Sequence, residues 1–164
     1  MPRVSVRRVI EAPPAEVWAA VSEIDRFRDW NPRWTRIELT SETTRGTGTS
    51  FRTFTEEGDQ FEFRITGWVE GEFVEISPVR EFDERHGITL QSQSFVLASA
   101  DEGAATFVEV EAHVSTHGPR GWLLGLVFWR GYQKRGLNEA LNALQDLFEP
   151  PGAEATEEAT ADSE

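Results

Sequence analysis

Residues 119–148 read PRGWLLGLVFWRGYQKRGLNEALNALQDLF, the only long run in the chain with helical periodicity. Steps of about 100° per residue from Leu137 gather Leu123, Leu126, Leu141, Leu144 and Phe148 within roughly 40° of it. The spacing predicts a helix over residues 121–148, roughly 42 Å long if continuous. Arg130 and Gln133 fall on the same face, midway along it. Left unpaired and desolvated, an arginine there costs several kcal/mol. A water-lined or ligand-filled cavity removes that cost, and so does a guanidinium that reaches the rim along its own apolar stem. Gly125, Gly131 and Gly136 weaken the helix by up to ~1 kcal/mol each relative to Ala. They leave room for a ligand, allow tight packing, or mark a break near Gly131.

The chain before this helix is mostly β-type. Val4, Val6, Val9 and Ile10 suit a strand over residues 3–11, with alternation that slips near Arg7–Arg8 and suggests a bulge. Two short helices follow: AEVWAAVSEI, with Val17, Trp18, Val21 and Ile24 at helical spacing, and DRFRDW, stopped by Asn31-Pro32. Between Trp34 and Thr116 about six strands are separated by turns such as Glu57-Gly58-Asp59 and Asp101-Glu102-Gly103. Strands joined this tightly form antiparallel hairpins, and their sheet has to bury one face. Only the last helix is long enough to cover it. The expected class is therefore α+β: a curved antiparallel sheet of about seven strands wrapped around a long C-terminal helix, with two short helices after the first strand.

Composition narrows the function classes. The 164 residues suit one domain, residues 1–148, followed by an acidic tail, residues 149–164. The tail carries six acids and no base, and it has too little apolar surface to offset its ordering entropy, so it reads as disordered. Removing it takes the net charge from −13 to −7 (−13 + 6), which argues against a nucleic-acid partner. With no cysteine, thiolate chemistry and disulfides are excluded. Three scattered histidines, His86, His113 and His117, give no metal-ligand spacing, and no phosphate loop or nucleophile elbow is present. Neither a metal nor a cofactor is expected. The N-terminus lacks a signal-peptide core and no apolar run approaches a membrane span, so the expected location is cytoplasmic.

The opening APPAEVWAAVSEIDRFRDWNP, with Ala12-Pro13, Glu16-Val17-Trp18, Trp30 and Pro32, resembles the START-like (SRPBCC) superfamily of helix-grip proteins. Within it the resemblance is to the polyketide cyclase/dehydrase and lipid-transport group, and the order of elements matches over residues 3–148. The matched residues set the strand-to-helix turn and the return into the second strand, so they speak for fold more than for function. The resemblance implies a deep cavity between sheet and helix that holds an apolar or aromatic ligand.

The residues expected to line it are Arg130, Gln133, Leu126 and Leu137 on the helix, and Phe61, Phe63, Leu90, Ser92 and Val110 on the strands. On residues 88–99, Ile88, Leu90, Ser92, Ser94 and Val96 share one face and Gln91, Gln93 and Phe95 the other; neither is cleanly apolar. Trp68 falls opposite Phe61, Phe63 and Ile65 unless Gly67 marks a bulge. Glu109, Glu111 and His113 point outward by alternation. No catalytic residue is identified. Three functions follow: a carrier of a small hydrophobic ligand such as a lipid, isoprenoid or polyketide; a cyclase or dehydratase acting on a ligand in the same cavity; or an interaction module. The last draws on the apolar start of the helix, where Trp122, Leu124, Val127, Phe128, Trp129 and Tyr132 surround it. That segment suits a pocket entrance, a homodimer contact, a transient membrane contact, or cover by adjacent loops.

Overall fold

The computed structural model describes residues 3–80, 88–124 and 130–149. Strand β1 (Arg3–Ile10) leads into helix α1 (Pro14–Ser22), a 3₁₀ turn (Ile24–Arg26) and the short helix α2 (Phe27–Trp30). Strands β2 (Arg36–Leu39), β3 (Ser50–Phe54), β4 (Gln60–Val69), β5 (Phe73–Pro78), β6 (Ile88–Ala100) and β7 (Ala105–Thr116) follow. Helices α3 (Gly118–Leu124) and α4 (Arg130–Asp146) close the chain. The seven strands form one antiparallel sheet in the order β1-β7-β6-β5-β4-β3-β2. It is thus a meander from β2 to β7, with β1 laid against the last strand. The expected 121–148 helix is described as α3 and α4; residues 125–129 between them, and 150–164 of the acidic tail, lie outside the described residues.

The corner after β1 follows from its prolines. Pro14 occupies the first helical turn, where its missing N–H leaves no bond unmade. Thr106 on β7 donates its hydroxyl to the Ala12 carbonyl at 2.7 Å, which holds the corner against the sheet. The Trp30 indole N–H donates to the Ala20 carbonyl at 2.9 Å and locks α2 beneath α1. From there an aromatic cluster fills one half of the interior. Trp30 packs edge-on against Phe95 at 5.0 Å, Phe27 against Phe51 at 5.4 Å, and Trp34 lies 5.5 Å from Phe63. Such tilted pairs add about 0.5–1.5 kcal/mol each beyond the area they bury. Leu137, Leu141 and Leu144 bury the inner stripe of α4 in the same core.

Three slips in strand alternation resolve in different ways. In β1 the pairing with β7 runs unbroken from Arg3 opposite His113 to Ile10 opposite Thr106, so the expected bulge near Arg7–Arg8 is absent. Val9 instead faces solvent, and Arg8 takes an inner position between Val6 and Ile10. That is tolerated because Arg8 donates to the side chains of Asn142 and Gln145 on α4. In β4 the register shifts between Ile65 and Gly67, which turns Trp68 inward against Trp18 at 5.0 Å and leaves Val69 exposed. Gly67 is needed there: a Cβ would sit 2.7 Å from Cε1 of Phe73 and 3.2 Å from Cβ of Glu75. In β6 the register shifts between Leu90 and Ser92, so Leu90 pairs with Val114 while Gln93, Phe95 and Leu97 pair with Ala112, Val110 and Val108.

Candidate functional site between the sheet and the last helix

Directly opposed residues in an antiparallel pair project to the same side. The inner face is therefore Val4, Val6, Arg8 and Ile10 on β1, Val108, Val110, Ala112 and Val114 on β7, and Leu90, Gln93, Phe95 and Leu97 on β6. Val74, Ile76 and Pro78 continue it on β5, and Phe61, Phe63, Ile65 and Trp68 on β4. Burial is uneven across this face. The side chains near α1 and α2 are closed off, among them Ile10, Ile65, Val74, Phe95, Leu97 and Val108. At the opposite end of β4 and β6, Phe61, Leu90 and Gln93 are only half-buried. The chain leaves β7 at that end and enters α3, so the last helix begins there.

The expected lining residues divide accordingly. Phe61 and Leu90 stand at the open end, and Gln133, also half-buried, lies one turn before Leu137 on the inner side of α4. Phe63, Val110 and Leu137 are inner but belong to the packed core. Ser92 is a correction: it pairs with His113, on the face opposite Val110 and Ala112. The bulge that separates Leu90 from Ser92 moves Ser92 outward and brings Gln93 inward. Leu126, and the side chain of Arg130, lie outside the described residues.

Gln93 was not among the expected residues, although a trace of it is legible. The large apolar residues of that strand switch from even positions, Ile88 and Leu90, to odd ones, Phe95 and Leu97. Such a switch marks a bulge and carries Gln93 with the odd set. Neither Gln93 nor Gln133 has a side-chain hydrogen-bond partner among the described residues, so each amide is available to a guest. Arg8 is the one titratable side chain on the strands' inner face among the described residues, and Asn142 and Gln145 already occupy it.

Two polar features lie away from this space. On the outer face Arg7 pairs with Glu109 at 3.0 Å and Arg3 with Glu111 at 3.9 Å, while His113 also contacts Glu111. That is the solvated face expected from alternation. A concavity of about 510 Å³ lies open beside α2, lined by Asp25, Arg28, Asp29, Pro32, Trp34 and Thr35. Its position on the α2–β2 connection sets it apart from the sheet–helix space, with the Trp34 indole standing between it and Phe63. No cluster of three or more metal-ligating side chains occurs among the described residues.

A seven-stranded antiparallel sheet that grips a C-terminal helix, with α1 and α2 closing one end, defines a helix-grip protein. A family model described as polyketide cyclase / dehydrase and lipid transport matches residues 1–149, and the chain belongs to that family. Solved structures with the same fold include a START superfamily protein from Mycobacterium smegmatis (TM-score 0.69, 16% identity, covering 89% of this chain and 96% of that one). A protein from Nitrosospira multiformis matches similarly (TM-score 0.69, 17% identity, 94% and 99% covered). The Aha1 dimer from Colwellia psychrerythraea also matches (TM-score 0.63, 19% identity, 91% and 97% covered). None of the curated proteins compared matches this sequence. The family's description points to hydrophobic ligands as what its members handle.

Proposed function

We propose that this protein binds and carries a small hydrophobic molecule, lipid, isoprenoid or polyketide-like, between the open end of the sheet and the start of α4. What supports the reading is that inner positions carry half-buried apolar side chains, Phe61 and Leu90, and two amides, Gln93 and Gln133, that have no side-chain hydrogen-bond partner among the described residues. An apolar wall with a few polar groups is the usual make-up of a ligand site. The apolar side chains supply the free energy of transfer, about 25 cal/mol per Å² removed from water. The amides orient one polar end of the guest, by donating from nitrogen or accepting at oxygen. The guest enters at the α3 end, which also offers a surface to a membrane or a second copy of the chain.

Binding without turnover is favoured over a cyclase or dehydratase. Proton transfer needs a titratable group within hydrogen-bond reach of the substrate, and among the described residues the inner face of the strands offers only the already bonded Arg8. Native mass spectrometry of the purified protein tests the reading. A co-purified hydrophobic molecule, or stoichiometric uptake of an added fatty acid, is the expected result. Failure to take up any apolar molecule from a panel of lipids, isoprenoids and aromatic polyketides would refute it.

A further inference from the structure

On α3, Trp122 and Leu123 are adjacent and exposed, at 64% and 60% of their full surface. They are the two most exposed large apolar side chains among the described residues. Two neighbours of this size turned to water mark a surface that meets something. The charge around them indicates what that is. The whole chain carries 29 acids against 16 bases. Yet residues 112–138 contain no Asp or Glu, and they do contain Arg120, Arg130, Lys134 and Arg135, including the only lysine in the sequence. Lys134 and Arg135 are exposed near the start of α4.

We infer that the α3 segment and the start of α4 dock onto an anionic lipid surface. Trp122 and Leu123 enter the headgroup–acyl boundary, and Lys134 and Arg135 meet the lipid phosphates. An indole suits that boundary because its ring is apolar and its N–H remains hydrated. A cation near an anionic leaflet strengthens binding by about fivefold. The rest of the chain carries a large acid excess, which disfavours most other approaches and orients the protein with this end towards the bilayer. No helix among the described residues is long and apolar enough to cross a membrane, so the contact is peripheral. The surface extends the carrier reading by naming where a ligand is exchanged, but its existence does not depend on the interior.

The test is flotation of the full-length protein with vesicles of phosphatidylcholine, alone or mixed with phosphatidylglycerol, at low and high salt. Wild type is expected to favour the anionic vesicles by about tenfold or more at low salt, with most of the preference lost at high salt. Trp122→Ser with Leu123→Ser should weaken binding by about tenfold, and Lys134→Gln with Arg135→Gln should remove most of the anionic preference. Both pairs are exposed, so unchanged circular dichroism is expected. Wild type that ignores anionic vesicles at low salt, or binding that neither pair alters, overturns the proposal. So does light scattering that shows a dimer dissociated by Trp122→Ser with Leu123→Ser, which would give this face to a second copy. An apolar-probe titration without vesicles keeps the two readings apart: vesicle binding without probe uptake leaves the docking surface standing and removes the carrier reading.

Discussion

Arg8 shows how one residue decides the reading of a strand. Sequence alternation broke at Arg7–Arg8, and the break has two physical solutions: a bulge, or a cation on the inner face. The second wins because α4 supplies Asn142 and Gln145 as acceptors. Arg8→Met is expected to lower stability by about 1–2 kcal/mol in urea unfolding, since hydrogen bonds to a charged group are worth about 1.5–3 kcal/mol and this one is partly hydrated. Glu70 is a second such residue. Arg45 and the indole N–H groups of Trp18 and Trp68, each at 3.0 Å, donate to its carboxylate. The Arg45 hydrogen bond first, then the two indoles, hold this carboxyl below its ordinary value of 4.5, against an opposing effect of desolvation. A folded value below the unfolded one means stabilisation that is complete above about pH 4.5 and is lost as pH falls through the folded value. Thermal unfolding should therefore show a shallower loss of Tm below that pH in Glu70→Gln than in wild type.

At the scale of elements, periodicity revealed which segments are strands and helices, but not every face. The inner sets of β7 and α4 were legible because their apolar residues recur without interruption: Val108, Val110, Ala112 and Val114 at every second position, Leu137, Leu141 and Leu144 at helical spacing. The inner set of β6 was not, because a one-residue shift exchanges the faces of everything beyond it. Ser92 and Gln93 changed places for that reason alone. For β4 the glycine was the usable signal, since a Cβ there would crowd Phe73 and Glu75. Gly67→Ala is expected to destabilise by about 1–3 kcal/mol through overpacking. The ring of Phe73 can move aside and the Cβ of Glu75 cannot, so some loss should persist in Gly67→Ala combined with Phe73→Leu. Leu141→Ala, by contrast, opens a cavity under α4 and should cost about 2–5 kcal/mol.

For the whole molecule, the half-burial of Phe61, Leu90 and Gln93 at the end of the sheet away from α1 carries the functional argument. The aromatic cluster built on Trp30, Phe27, Phe51 and Phe95 is buried and closely packed. What a ligand would occupy lies at the end where Phe61, Leu90, Gln93 and Gln133 are half-buried. Order of elements and the opening motif, Ala12-Pro13, Glu16-Val17-Trp18, Trp30 and Pro32, were enough to reach the helix-grip class. The location of the open end required the register, because half-burial of a phenylalanine or a leucine leaves no mark on the sequence. The most direct measurement is a fluorescence titration with N-phenylnaphthylamine, comparing wild type with Leu90→Trp, which places an indole where the guest would lie. Saturable binding to wild type with one site per chain, weakened about tenfold or more in Leu90→Trp of unchanged fold, is the result expected. Equal binding by both proteins, or none by wild type, would contradict a ligand site at this end of the sheet.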